Sequence, residues 1–161
     1  EEYDKSMKCL IIYYSGYKKQ REKIAEAFAK RINADLVDLK KSKTIAIDEY
    51  DMIGFGSGVY RESMAVQLFD CADKLDLRGK DVFVFSTSGI GKKFYNKKLI
   101  KLLESRGAKC IGSFACKGSF VSREFSNNKI FEIMSRFAQG HPNEKDLLKA
   151  ERFIEKIACR D

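Results

Sequence analysis

Short apolar runs alternate with segments of helical periodicity along the chain, and this alternation constrains the fold more than any other feature. The runs are rich in Val, Ile, Phe and Tyr, whereas the helical segments repeat their apolar residues every three to four positions. Strands are predicted at 7–14, 35–39, 51–57, 80–86 and 109–116, and helices at 19–32, 64–75, 96–106 and 144–158. Strands and helices in alternation are typical of a parallel sheet with helices on both faces. The sequence therefore predicts an α/β, doubly wound architecture.

No linker or internal repeat interrupts the alternation, so we expect a single domain over residues 1–161. The last helix follows Pro142, with Asn143 as its expected N-cap. Residues 118–140 are the irregular part, and a short helix is expected within them at about 129–138.

Composition narrows the class of protein. Of the 161 residues, 44% are hydrophobic and 34% are charged, enough for a buried core and a polar surface. No apolar run approaches the ~18 residues of a membrane span, and the acidic N-terminus does not resemble a secretion signal. The five cysteines include no pair at two-residue spacing, which excludes a zinc knuckle or a dithiol redox motif. Their odd number, without a signal peptide, favours reduced thiols in a cytoplasmic protein. We expect Cys9 and Cys110 to be small core residues.

Several kinds of active site are excluded. The single histidine, His141, rules out multi-histidine metal sites, and no Gly-x-Ser-x-Gly motif accompanies it, so no metal and no catalytic residue are predicted. The glycines at 54, 56 and 58 do not have the spacing of a dinucleotide-binding loop. Gly91-Lys92 is not a Walker loop, because Ser86 stands where its first glycine belongs.

Three segments leave the carboxyl ends of predicted strands, where ligands bind in open parallel sheets. They are 15–21, 57–62 and 86–93, each rich in small or hydroxylated residues. The first leads into a helix N-terminus and carries donors that suit a phosphate. The second offers the ring of Tyr60, and the third offers backbone N–H and hydroxyl groups. Taken singly, each segment is also compatible with an ordinary surface turn.

Taken together and in order, these segments resemble the flavodoxin family along almost the whole chain. The matching stretches are CLIIYYSG, REKIAEAFAK, YDMIGFGSGVYRESM, LRGKDVFVFSTSG, GKKFYNKKLIKLLESRGAKCIGSFACKG and GHPNEKDLLKAERFIEKI. The resemblance implies a five-stranded parallel sheet in the order 2-1-3-4-5. It also implies non-covalent FMN as the cofactor and electron transfer as the function.

Carried onto this sequence, the resemblance assigns residues 15–21 to the phosphate, 57–60 to one face of the flavin ring, and 87–91 to the polar edge of the ring. Cys116 belongs to a Cys-Lys-Gly segment that runs beside the flavin in this branch. The implied cofactor-binding residues are Ser15, Gly16, Tyr17, Lys18, Lys19, Gln20, Arg21, Ser57, Gly58, Val59, Tyr60, Thr87, Ser88, Gly89, Ile90, Gly91 and Cys116.

The first segment departs from the family pattern. Where the family has Ser/Thr-x-Thr-Gly-x-Thr, this chain has bulky residues at 17–20, and Lys18, Lys19 or Arg21 would bind the phosphate through charge. After Gly118 the chain reads Ser-Phe-Val-Ser in place of aromatic-Asp-Thr. Two alternatives to an electron carrier follow: a flavin-dependent reductase of a small substrate such as a quinone, and a binding module that has lost FMN.

The net charge of +8 favours acidic partners or polyanions. Lys93, Lys97 and Lys101 recur at helical spacing after the third segment, with Lys92 and Lys98 beside them. We expect this basic rim to stabilise reduced, anionic flavin and to dock redox proteins with acidic surfaces, unless it is an ordinary solvated helix face. No nucleic-acid or membrane partner is expected, and the protein is expected to be a monomer or a weak dimer.

Overall fold

The computed structural model describes residues 7–14, 22–42, 44–118 and 142–159. The expected helix at about 129–138 lies outside these residues, as does the rest of 119–141. None of the helices in the described ranges is both long and apolar enough to cross a bilayer.

Five parallel strands form the sheet, which confirms the predicted fold class. The strands are β1 (Cys9–Tyr14), β2 (Asp35–Asp38), β3 (Met52–Tyr60), β5 (Asp81–Ser88) and β6 (Lys109–Lys117), in the order β2-β1-β3-β5-β6. A two-residue strand, β4 (Ser63–Met64), pairs antiparallel with the end of β3. Without β4 the order is 2-1-3-4-5, as the resemblance implied.

In the part of the chain that the structure describes, four α-helices cover the sheet: α1 (Glu22–Ile32), α2 (Val66–Asp73), α3 (Lys97–Ser105) and α4 (Glu144–Ala158). A 3-10 turn, Lys93–Asn96, runs directly into α3. The limits of α4 agree with the prediction. The prediction for α2 was wrong at its start, because residues 63–64 pair with β3 instead of joining the helix.

The core has two layers, one on each face of the sheet. On the first face, α1 and α4 cover a cluster of aromatic rings in which Phe28 lies 5.0 Å from Phe85 and 5.6 Å from Phe114, centroid to centroid. On the second face, α2 and α3 bury Leu68 and Leu99. Cys9 is buried as predicted, whereas Cys110 is only half-buried.

Two glycines of β3 let the first layer pack closely. A Cβ on Gly54 would lie 2.3 Å from the ring of Phe83, and one on Gly56 would lie 2.1 Å from the ring of Phe85. The groups that approach this backbone are therefore core phenylalanines of the neighbouring strand. This packing holds β3 and β5 side by side up to the edge where both strands end.

The ends of β3 and β5 extend further than predicted. Residues 58–60 and 87–88, which the sequence placed in loops, continue the strands. Ser57 pairs with Ser86, Gly58 with Thr87, and Ser88 with Lys117 on β6. Small polar residues are typical of turns, but here neighbours on both sides of β5 keep the ladder intact.

Candidate functional site

The carboxyl edge of the sheet brings together the ends of four parallel strands, at Tyr14, Tyr60, Ser88 and Lys117. The second and third predicted segments lie at this edge. The first, Ser15–Arg21, directly follows Tyr14 and lies outside the described residues. The described part of the site is therefore the part predicted to hold a flat ring.

A rigid hairpin forms one side of the site. The Ser57 hydroxyl donates to the carbonyl oxygen of Gly58 (2.7 Å) and accepts from the backbone N–H of Ala65 (3.0 Å). Beyond Gly58, Val59 pairs with Met64, and Arg61 makes the turn with a φ of 62°. Because the buried Ser57 hydroxyl holds the hairpin together, a ligand would meet the backbone here and the half-buried ring of Tyr60.

The ring of Tyr60 lies against a second aromatic ring, which the sequence analysis missed. Tyr14 and Tyr60 meet edge to face, with centroids 6.4 Å apart and planes at 65°. The ammonium of Lys40 lies 5.8 Å from the centroid of the Tyr14 ring, a cation–π distance. Tyr14 is the last residue before the predicted phosphate segment, but only its place in the sheet brings it beside Tyr60.

A tight turn at the end of β5 forms the other side. The Ser88 hydroxyl accepts from the backbone N–H of Gly91 (2.8 Å), and the Ser88 carbonyl accepts from the backbone N–H of Gly118 (3.0 Å). Gly91 has a φ of +65°, and a Cβ there would lie 3.0 Å from the backbone of Cys116. Glycine is therefore required for this turn to cross the end of β6.

Three buried side-chain oxygens of the described residues lie near this edge without a hydrogen-bond partner, two at the end of β5 and one just before α3: the Ser86 and Thr87 hydroxyls and the side-chain oxygen of Asn96. Ser86 and Thr87 are consecutive on β5, so their side chains face opposite sides of the sheet. The Asn96 amide nitrogen donates to the Ser113 hydroxyl (2.9 Å) and to the Phe114 carbonyl (3.0 Å), which fixes the side chain against β6. Leaving a buried polar atom unpaired costs about 1–3 kcal/mol, so each of these oxygens is suited to a ligand group that can hydrogen-bond.

Asn96 was also missed by the sequence analysis. It lies beyond the predicted turn, at the end of the 3-10 helix, where an asparagine is an ordinary helix-capping residue. Its complete burial against β6 depends on tertiary packing and has no local signal.

Cys116 contributes backbone and not its thiol. The side chain is buried in the first core layer beside α4, and burial raises the pKa of the thiol to about 12, with the negative charge of Asp146 acting in the same direction. The thiol stays protonated at neutral pH. The part of Cys116 near the site is its main chain, which the turn at Gly91 crosses.

One charged surface borders the turn. Residues 82–103 contain five lysines and no acidic residue, and all five lysines are exposed: Lys92, Lys93, Lys97, Lys98 and Lys101. Glu62, in the hairpin turn, acts on the same region, since its charge adds to burial in raising the pKa of Tyr95.

A concavity of about 480 Å³ lies at the opposite, amino edge of the sheet. Its lining includes Arg31, Arg152 and Lys156. Arg31 makes an ion pair with Glu155 across the ends of α1 and α4. Cations in the last turn of a helix interact favourably with the helix dipole, which accounts for Arg31 and Lys156.

Comparison with known proteins gives the family. The model of the flavodoxin domain family matches residues 10–155. An uncharacterized protein of Methanocaldococcus jannaschii is 37% identical over 153 residues, which cover 94% of this chain and 98% of that protein.

Solved structures agree on the fold. A flavodoxin from the domain Archaea superposes with a TM-score of 0.65 at 16% identity, covering 93% of this chain and 96% of its own. The Streptococcus pneumoniae TIGR4 flavodoxin superposes with a TM-score of 0.62 at 16% identity, covering 93% of this chain and 97% of its own. A Lactobacillus acidophilus NCFM flavoprotein, solved in complex with FMN, superposes with a TM-score of 0.55 at 21% identity, covering 66% of this chain and 91% of its own. Because the family model spans most of the sequence, this chain belongs to the flavodoxin domain family.

Proposed function

We propose that this protein binds FMN non-covalently at the carboxyl edge of its sheet and carries electrons between other proteins. The observation that carries the proposal is the buried hydroxyl of Thr87, unpartnered among the described residues, at the end of β5 and at the same edge of the sheet as the Tyr14–Tyr60 pair. Family membership supports the choice of a flavin, and the Lactobacillus flavoprotein of similar fold was solved with FMN.

The residues at this edge suit the groups of the cofactor. The Thr87 hydroxyl can donate or accept, which suits the polar edge of a flavin ring, since that edge carries both donors and acceptors. Tyr60 and Tyr14 would offer aromatic surface to the ring. In the proposed complex, the phosphate belongs to residues 15–21, where Lys18, Lys19 and Arg21 would bind it through charge.

FMN, when bound, supplies the capacity to take up and release electrons one or two at a time. The chain supplies a site already held in place, because the Ser57 and Ser88 hydroxyls fix the hairpin and the turn. The Cys116 thiol, with its pKa of about 12, is not available as a nucleophile. Cys116 therefore offers no thiol chemistry on a bound substrate, and family membership is what supports electron carriage as the proposed role.

We also propose a cytoplasmic location. All five cysteines lie in described parts of the chain, and all five are free thiols. Unpaired cysteines are typical of a reducing compartment.

Titration with FMN, followed by quenching of flavin fluorescence, tests the proposal. Thr87→Val removes the unpartnered hydroxyl and keeps the shape of the side chain, so FMN affinity should fall about tenfold. The stability of the FMN-free protein should be unchanged or higher, because valine leaves no unpaired buried oxygen. Thr44→Val, at an exposed threonine, is the matched control and should change neither quantity.

Three outcomes would contradict the proposal. Fluorescence that stays unquenched with FMN in large excess would favour a binding module without the cofactor. Equal FMN affinity of wild type and Thr87→Val would show that the Thr87 hydroxyl does not contact the cofactor. Rapid oxidation of NAD(P)H with a quinone as acceptor would favour the reductase.

A further inference from the structure

We propose that the surface formed by Ile90, Phe94 and the five lysines at 92, 93, 97, 98 and 101 docks an acidic protein. We call it the lysine surface. The inference rests on the proposed function, because it names the kind of protein with which the flavin would exchange electrons.

The first observation is the uncompensated charge. The five lysines are exposed, and no ion pair joins any of them to an acid among the described residues. Ordinary solvated helices alternate charges of both signs, because pairs three or four residues apart stabilise the helix. Here the spacing is regular, but the acid of the helical segment, Glu104, lies in its last turn, and the five lysines that precede it have no ion pair to it among the described residues.

The second observation is that this charge opposes local stability. The 3-10 turn and α3 form one helical segment, and neither has an acidic residue in its first turn or a side-chain cap. Lys93 and Lys97 begin the two parts, where the positive end of the helix dipole disfavours cations. Residues that break a local rule without compensation are commonly functional.

The third observation is apolar surface among the lysines. Phe94 is 53% exposed and Ile90 is 38% exposed. The Phe94 ring lies 4.1 Å from that of Tyr95, centroid to centroid, and Tyr95 is itself buried, so the exposed ring is anchored. An aromatic anchor surrounded by charged residues is the usual composition of a protein–protein interface.

The position of the lysine surface beside the proposed ring site favours a protein as the partner. Ile90 lies in the turn that bounds the proposed ring site, and Phe94 follows four residues later, so a protein docked here would reach the edge of the flavin. Lysines attract an acidic surface over a long range and speed its association. A nucleic acid or an anionic membrane would meet the same charge but would have no need of the flavin edge.

Binding of an acidic [2Fe–2S] ferredoxin of the plant type, used as the probe protein, tests the surface by titration calorimetry at about 10 mM salt, where screening is weak. Wild type should bind and lose affinity steeply as salt rises. Lys93→Glu/Lys97→Glu should weaken binding at least tenfold. Lys30→Glu/Lys156→Glu is the matched control: it makes the same change in net charge with exposed lysines at the amino edge of the sheet. It should change affinity less than about twofold.

The variant Phe94→Ala separates the contribution of apolar contact to partner binding from the contribution of charge. It should weaken binding about tenfold without changing the dependence on salt, because no charge is removed. FMN affinity, measured in the same preparations, should be unchanged in all three variants, so a failure of docking is distinguished from a failure of the proposed function.

The proposal is overturned if the probe does not bind at low salt, or if the control pair weakens binding as much as Lys93→Glu/Lys97→Glu. Tighter binding to duplex DNA or to phosphatidylserine vesicles than to the acidic protein would also overturn it.

Discussion

Two asparagines immediately precede helices, and their side chains have different structural roles. Asn143 is exposed and caps α4: its side-chain oxygen accepts from the N–H of Asp146 (3.0 Å), whose carboxylate accepts from the N–H of Asn143 (2.9 Å). Asn96 precedes α3, is completely buried, and makes no cap bond. Its amide instead joins the 3-10 turn to Ser113 and Phe114 of β6.

The reason for the difference lies in what precedes each helix. At α3 the 3-10 turn already supplies a backbone acceptor, since the N–H of Lys97 bonds to the carbonyl of Phe94. The Asn96 side chain is therefore free to face the sheet. At α4 the chain arrives extended, and the side chain must supply the acceptor. The same residue at the same position thus strengthens a helix in one region and positions the candidate site in the other.

Removing the two side chains should have unequal effects, and Asn96→Ala should have the larger one. It breaks two hydrogen bonds, leaves the buried Phe114 carbonyl without this partner and leaves a cavity beside β6. Loss of the Asn96 oxygen, which is unpartnered among the described residues, offsets only part of this, so the free energy of unfolding should fall by about 2 kcal/mol. Urea unfolding of the FMN-free protein measures this. Ser113→Ala removes only one of the two partners and should cost less; an equal cost would show that the Phe114 bond is unimportant.

Asn143→Ala should cost about 1 kcal/mol, because it removes an exposed cap whose N–H partner can turn to water. The same urea experiment measures it. Asn143→Ser preserves a capping oxygen and should restore most of the loss. If Asn143→Ala proves more damaging than Asn96→Ala, the contrast between the two asparagines is wrong.

The same comparison shows how far the sequence alone could go. The limits of α4 were predictable because every signal is local: Pro142, the capping residue, the acids of the first turn and the apolar stripe all agree. Four of the five strands were predictable for a similar reason, since their apolar runs are nearly continuous, whereas β2 has only Leu36 and Val37 between two aspartates. The parallel order came from the family resemblance and was confirmed.

The edge of the sheet was harder to predict because its structure depends on distant neighbours. Ser57–Tyr60 and Ser86–Ser88 have the composition of turns, and only the ladder with the adjacent strands makes them extended. Tyr14 on β1 contacts Tyr60 on the neighbouring strand β3, and Asn96 bonds to Ser113 and Phe114, which are 17 and 18 positions away in the sequence. Contacts of this kind have no sequence periodicity. The assignment of the individual cofactor-binding residues, including the whole of 15–21, stays a prediction.

The smallest expected effect completes the comparison of the two helices. Lys93→Glu places an acid at the start of the helical segment and relieves repulsion among the lysines, so the free energy of unfolding should rise by about 0.3–1 kcal/mol at low salt. Glu144→Lys, the mirror change at the start of α4, should lower it by a similar amount. Both effects should shrink in 1 M salt, where charges are screened within about 3 Å.

Because Lys93 belongs to the lysine surface, the Lys93→Glu variant should be more stable and bind the acidic probe less well. A loss of both stability and binding would instead mean that Lys93 supports the fold, and the charge at this helix start would need no functional explanation.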